Sequence, residues 1–86
     1  GAELDLLIER QGQRLGFEVK LTRAPKVTPS MRSALQVLGL THLYVVCHGD
    51  GPIAPLADGI SALPLQSLST LHADSAFEAL LTASWR

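Results

Sequence analysis

The chain has little of several things that would narrow its class at once. It has one cysteine, few aromatic residues, no excess of either charge and no long apolar run. A single cysteine, Cys47, rules out a disulfide framework and a cysteine-based zinc site, so a reducing cytoplasm is the expected location. No apolar stretch approaches the ~18 residues of a membrane-spanning helix, and nothing resembles a secretory signal, so no membrane partner is expected. The net charge of −1 argues against a dedicated nucleic-acid coat protein, which would carry a strong basic excess. It leaves open an enzyme that meets nucleic acid through a metal ion and a few local cations.

What is present is the composition of a small globular domain: 47% hydrophobic and 17% charged residues over 86 positions, enough for one domain and not two. The chain begins at Gly1, directly in a strand-like pattern and with no initiator methionine, and so reads as part of something longer.

Glu3–Glu9 alternates with Leu4, Leu6 and Ile8 on one face and Glu3, Asp5, Leu7 and Glu9 on the other. Gln11-Gly12-Gln13 is a turn signal. Leu15–Leu21 alternates again, setting Leu15, Phe17, Val19 and Leu21 opposite Gly16, Glu18 and Lys20, so a hairpin is expected. If Gln11-Gly12 form the loop, Asp5 faces Glu18 and Glu3 faces Lys20. If Gly12-Gln13 form it, Asp5 faces Lys20 and Leu7 faces Glu18. Directly paired residues share a face, so either register gathers Asp5, Glu18 and Lys20 and matches the apolar sides.

Beyond the Pro-containing loop at Arg23–Lys26, Thr28-Pro29 reads as an N-cap with proline at the first helical position. Met31, Ala34, Leu35 and Leu38 form one apolar stripe, and Gly39 is the stop. Leu43–Cys47 is a continuous apolar run, as for a strand buried on both faces, and the strand–helix–strand order predicts that it runs parallel to Leu15–Leu21. Gly49–Gly59 is a Gly/Pro-rich loop with a turn at Asp58-Gly59, and Ile60–Leu63 reads as a short edge strand stopped by Pro64. Ser75–Glu78 is a capping box opening a final helix whose apolar side carries Phe77, Leu80, Leu81 and Trp85. Phe77 and Trp85 suit packing or dimer contacts better than base stacking. The expected fold is α/β: a small mixed sheet with an N-terminal hairpin, one crossover helix and a C-terminal helix. Residues 1–66 would be the core and 67–86 a helical tail.

Two carboxylates opposed across a hairpin, with Cβ atoms ~4.5–5.5 Å apart, can supply hard oxygen ligands to a divalent ion. Lys20, two residues from Glu18 on the same face, can sit beside the attacking water or the charged phosphate. Val19 between them would anchor the strand in the core, and Gly16 would leave room for substrate backbone or a water. The same alternation also suits a solvated ribbon face with Asp–Lys and Glu–Lys cross-strand pairs. Arg23, Lys26 and Arg32 with Gln36 offer a phosphate-contacting edge, with plain solvated surface as the alternative. His42, His48 and His72 lack metal-ligand spacing and read as surface or strand-end residues.

A carboxylate on one strand, Glu18-Val19-Lys20 on the next, then a helix and a buried strand, resembles the core of the PD-(D/E)xK nuclease superfamily. More closely, Gly1–Ile8, Phe17–Lys20, Leu56–Ile60 and Ala62–Leu65 look like the C-terminal nuclease-like domain of a family of prokaryotic AAA-type ATPases of uncharacterised function. The likeness spans roughly residues 1–66. It implies a truncated restriction-endonuclease-like core whose N-terminal helix and first strand lie upstream. It also implies Asp5 and Glu18 as ligands of Mg²⁺ or Mn²⁺, Lys20 as the cation at the phosphate, and Glu3 as an auxiliary acid. ATP would belong only to the upstream module, DNA or RNA would be the substrate, and a second copy would pair through the sheet edge or the C-terminal helix. The sequence departs from the pattern in having Leu4 where the superfamily name has proline.

Overall fold

The computed structural model describes residues 4–66. It contains five strands and one helix, in the order β1 (Leu6–Arg10), β2 (Gln13–Val19), α1 (Pro29–Val37), β3 (His42–Cys47), β4 (Ala54–Ala57) and β5 (Ile60–Pro64). The fold is the expected α/β class, a single mixed sheet ordered β1-β2-β3-β5-β4. The C-terminal helix expected from Ser75 onward, the helical tail at 67–86 and Glu3 lie outside the described residues. Among the described residues no helix is long and apolar enough to cross a membrane.

The hairpin closes on Gln11-Gly12, whose φ angles are 54° and 78°. Two consecutive positive φ values give a two-residue turn whose twist matches that of the strands it joins. This selects the first of the two registers, with Leu6 opposite Phe17 and Ile8 opposite Leu15.

The helix forms where the sequence signals place it. Thr28 Oγ1 accepts from the Met31 N–H at 3.2 Å, and Pro29 occupies the first turn, where its missing donor costs nothing. The helix ends at Leu38, and Gly39 follows with φ 61°, the left-handed conformation that glycine adopts without strain. Arg14 Nη1 then donates to the Leu38 carbonyl at 2.6 Å, which ties the helix C-terminus to the start of β2. Thr41 extends that join: its N–H donates to Arg14 O at 2.7 Å and its Oγ1 donates to Gln13 Oε1 at 2.8 Å.

β3 pairs in parallel with β2 on one side and with β5 on the other. Every residue from His42 to Val45 is buried, as a strand flanked on both edges and covered on both faces requires. Leu43 and Val45 pack with Met31 of α1 and Ile60 of β5, while Tyr44 packs with Leu15, Phe17 and Leu63 on the opposite face.

The strands depart from expectation at three places. Ile60–Leu63 is no edge: β5 is buried throughout and lies between β3 and β4. The edge is β4, inside the stretch read as a loop, whose Pro55 sits beside a register irregularity. Proline and a broken ladder are what an outermost strand tolerates. The turn at Asp58-Gly59 that joins β4 to β5 does occur where the sequence indicated, with φ 77° at Gly59.

The second departure is at the start of the hairpin. Leu4 does not share a face with Leu6 and Ile8. The chain bends at Asp5, so Leu4 joins the cluster under α1, whereas Ile8 packs on the other side and Leu6 is half-exposed. Third, Val19 does not anchor β2 in the core; it is 49% exposed, at the point where the strand leaves the sheet.

Gly16 is where the bend and the helix meet. A Cβ there would lie 2.7 Å from Leu40 Cδ1 and 3.0 Å from Leu4 Cδ1, so the space expected for substrate or water is filled by leucine. Gly16→Ala is expected to destabilise the domain by about 1–2 kcal/mol, the usual cost of one methyl group forced into a packed core. Urea unfolding of wild type, Gly16→Ala, Leu4→Ala and the double variant checks this. The double variant should recover part of the Gly16→Ala loss, and strict additivity of the two changes would contradict the contact.

Candidate functional site

In an open α/β sheet the carboxyl ends of the parallel strands are where loops converge and ligands find polar backbone. Here those ends belong to β2, β3 and β5, and the first turn of α1 lies at the same end. Glu18 and Lys20 stand at the end of β2, and Asp5 stands beside it at the bend that precedes β1.

Pairing of Glu18 with Val45, and of Gly16 with Leu43, places Glu18 on the face of the sheet that α1 covers. Glu18 is therefore not part of a solvated ribbon face; only 15% of its side chain is exposed. Its Oε1 lies 3.9 Å from Lys20 Nζ, the outer limit of an ion pair, and Lys20 is itself about half exposed. Its Oε2 is buried and has no hydrogen-bond partner among the described residues. A carboxylate oxygen out of water without a donor is costly, and groups of that kind are met by an ordered water or a cation, or stand as a reservoir of strain.

Asp5 is held differently. Its N–H donates to the Phe17 carbonyl at 3.0 Å, one residue off the regular register, and its Oδ2 accepts from the Val19 N–H at 2.7 Å. The carboxylate thus takes the place of a backbone carbonyl at the last rung of the hairpin, which is why regular pairing stops at Leu6. The structure brings Asp5, Glu18 and Lys20 to one end of the β1–β2 pair. It commits one Asp5 oxygen to backbone and leaves one Glu18 oxygen without a donor. Among the described residues no three of His, Cys, Asp and Glu gather in a metal-binding arrangement.

The phosphate-contacting group does not assemble as one edge. Arg32 and Gln36 lie on the exposed side of α1, away from Met31 and Ala34, and Lys26 is exposed in the loop before it. Arg23 alone lines a cavity of about 100 Å³, with Gly49, Asp50 and Gln66. No sequence motif marks this cavity, because its walls come from the loops after three different strands.

Cys47, at the end of β3, is buried, and burial pushes its thiol pKa up, which favours the neutral thiol. His42 stands at a strand end, as one of the two expected placements had it, but not at the surface. It is 1% exposed, 2.8 Å from Ser61 Oγ through Nε2, and its ring centroid is 4.7 Å from that of Tyr44. The signal was available in the alternation of His42, Tyr44 and Val46, which puts the imidazole on the face where Phe17 and Tyr44 stack at 5.8 Å.

Comparison with known proteins follows from residues 1–68, which match the family described as a domain of unknown function (DUF4143); the chain belongs to that family. It is 41% identical over 80 residues to Uncharacterized protein Rv2008c of Mycobacterium tuberculosis and, to the same extent, to Uncharacterized protein Mb2031c of Mycobacterium bovis. These alignments cover 93% of the chain and 18% of each relative, so the chain spans less than a fifth of their length. No solved structure matches it.

The buried imidazole carries a pH prediction. Burial lowers the pKa of His42 to about 4, against about 6.5 in an unfolded chain. The unfolded state therefore binds the extra proton first. The stability that goes with a neutral His42 is fully present above about pH 6.5, falls as pH drops, and levels off near 4. Between pH 7 and 4.5 the His42 share of the loss is expected to be about 2 kcal/mol. Urea unfolding across that range should be less steep in pH for His42→Gln than for wild type, and identical slopes would refute the assignment.

Proposed function

We propose that this member of the DUF4143 family is a divalent-metal-dependent, nuclease-like domain acting on nucleic-acid phosphodiesters within a longer ATPase. The observation that carries this reading is the Glu18 carboxylate. It is largely buried, lies beside Lys20, and its Oε2 has no donor among the described residues. An orphaned carboxylate oxygen suits a hard cation such as Mg²⁺ or Mn²⁺, with Asp5 and Glu18 as its protein ligands and, by the same nuclease resemblance, Glu3 as an auxiliary acid. When bound, such an ion would supply charge stabilisation at the phosphoryl oxygens. Lys20 would hold positive charge beside the phosphate, and the Val19 N–H fixes Asp5 in place through Oδ2. DNA or RNA is the partner this chemistry implies, in a reducing cytoplasm consistent with the single buried thiol of Cys47. Pairing of two copies through the β1 edge or the C-terminal segment belongs to the same reading.

A second reading has its own support. One Asp5 oxygen is already spent on the Val19 N–H, and no third acid joins the pair among the described residues. Both suit a nuclease-type fold that lost catalysis and serves protein association or nucleic-acid binding.

The full-length protein separates the two. With Mn²⁺ and single- or double-stranded DNA and RNA, cleavage by wild type should fall on the order of 100-fold in Glu18→Ala and in Lys20→Ala, the usual scale for removing a group that stabilises developing charge. Mn²⁺ binding, read by electron paramagnetic resonance, should weaken in Glu18→Ala and persist in Lys20→Ala. Equal cleavage by all three proteins would sink the catalytic assignment. Absence of both cleavage and Mn²⁺ binding in wild type would favour the interaction module.

A further inference from the structure

The loops that follow β2, β3 and β5 are stitched together at the carboxyl end of the sheet. The Lys20 N–H donates to Val46 O at 2.8 Å and the His48 N–H to Thr22 O at 2.9 Å. The Gly49 N–H donates to Gln66 Oε1 at 2.9 Å, and the Gln66 N–H returns to Gly49 O at 3.1 Å. This reciprocal pair locks the floor of the cavity lined by Arg23, Gly49, Asp50 and Gln66, with φ 132° at Gly49, a backbone conformation open to glycine.

The charges at its rim are idle. Arg14 pairs with Glu9 and Lys20 with Glu18, whereas neither Arg23 nor Asp50 takes part in an ion pair among the described residues. A guanidinium and a carboxylate thus line one polar cavity with no ion pair between them, three residues along the chain from Lys20. The guanidinium fork matches a phosphate in two-point geometry. The carboxylate only accepts hydrogen bonds and would repel a bare phosphate, so whatever binds must also present a donor. A cavity of about 100 Å³ holds a group of phosphate size with an adjoining hydroxyl. A ribose hydroxyl is such a donor, and a carboxylate is a familiar acceptor for it.

We propose that this crevice binds the sugar–phosphate unit of a ribonucleotide strand, with Arg23 on the phosphate and Asp50 on the ribose 2′-hydroxyl. The choice of nucleic acid rests on the phosphodiester reading above and deepens it: the substrate is RNA rather than DNA. Lys20 and Arg23 then lie along one strand path, at the reacting phosphate and at a neighbouring one.

The test is binding of ribose 5-phosphate, 2-deoxyribose 5-phosphate and inorganic phosphate to the full-length protein without metal, read by saturation-transfer NMR. Ribose 5-phosphate should bind about tenfold more tightly than either of the others, the scale of one hydrogen bond to a charged group. Arg23→Ala should abolish binding of all three. Asp50→Ala should retain phosphate binding but bring the preference for ribose close to unity. Both side chains are exposed and carry no ion pair, so these variants should keep the wild-type melting temperature. Equal binding of ribose 5-phosphate and inorganic phosphate, or binding indifferent to Arg23→Ala, overturns the proposal. If wild type neither cleaves nor binds Mn²⁺ while the ribose preference persists, the nuclease reading fails and this one stands.

Discussion

Burial of β3 on both faces and along both edges is the constraint from which the rest of the domain follows. A strand with no solvent-facing side must be apolar in both alternating sets, and it must have partners that satisfy its backbone on each edge. β2 and β5 supply the edges in parallel, α1 covers Leu43 and Val45, and the Phe17–Tyr44 stack forms the core opposite. Parallel pairing in turn sends all three strand ends in one direction. The loops after them converge there, and both Glu18 and the Arg23–Asp50 crevice result from that convergence.

The bend at Asp5 decides what the converging end can offer. A regular hairpin would have set Asp5 opposite Glu18 with both side chains projecting from one face. Instead the Asp5 carboxylate bonds the Val19 N–H, and the chain turns so that Leu4 seals the sheet over Gly16. Glu18 is left under α1 with an oxygen lacking a donor among the described residues. The two carboxylates, equivalent on paper, therefore differ in kind: one is partly a structural cap, the other a largely buried acceptor under the helix.

Elements with local causes were legible in the sequence. The N-cap at Thr28, the stop at Gly39, a two-residue turn at Gly12 with either Gln11 or Gln13, and the buried strand at Leu43–Cys47 each follow from side-chain chemistry within a few residues. Parallel pairing of β2 with β3 was legible too, because a helix between two strands leaves few other solutions. β4 was not, since Ala54-Pro55-Leu56-Ala57 has neither alternation nor β-branched residues, and only its partner β5 makes it a strand. The strand-end position of His42 was legible but its burial was not, because a polar residue there reads as exposed unless the neighbouring layer is known.

The sequence by itself determined the α/β class, the helix limits, the hairpin to within two registers and the presence of Asp5, Glu18 and Lys20 at one end of one strand pair. All of these depend on periodicity and short-range hydrogen bonding. Only the tertiary structure decided which face Glu18 occupies, that Asp5 spends an oxygen on backbone, that leucines close the space at Gly16, and that Arg23 meets Asp50 and Gln66. Those outcomes depend on contacts between segments distant in the chain, where no local preference acts and packing alone chooses.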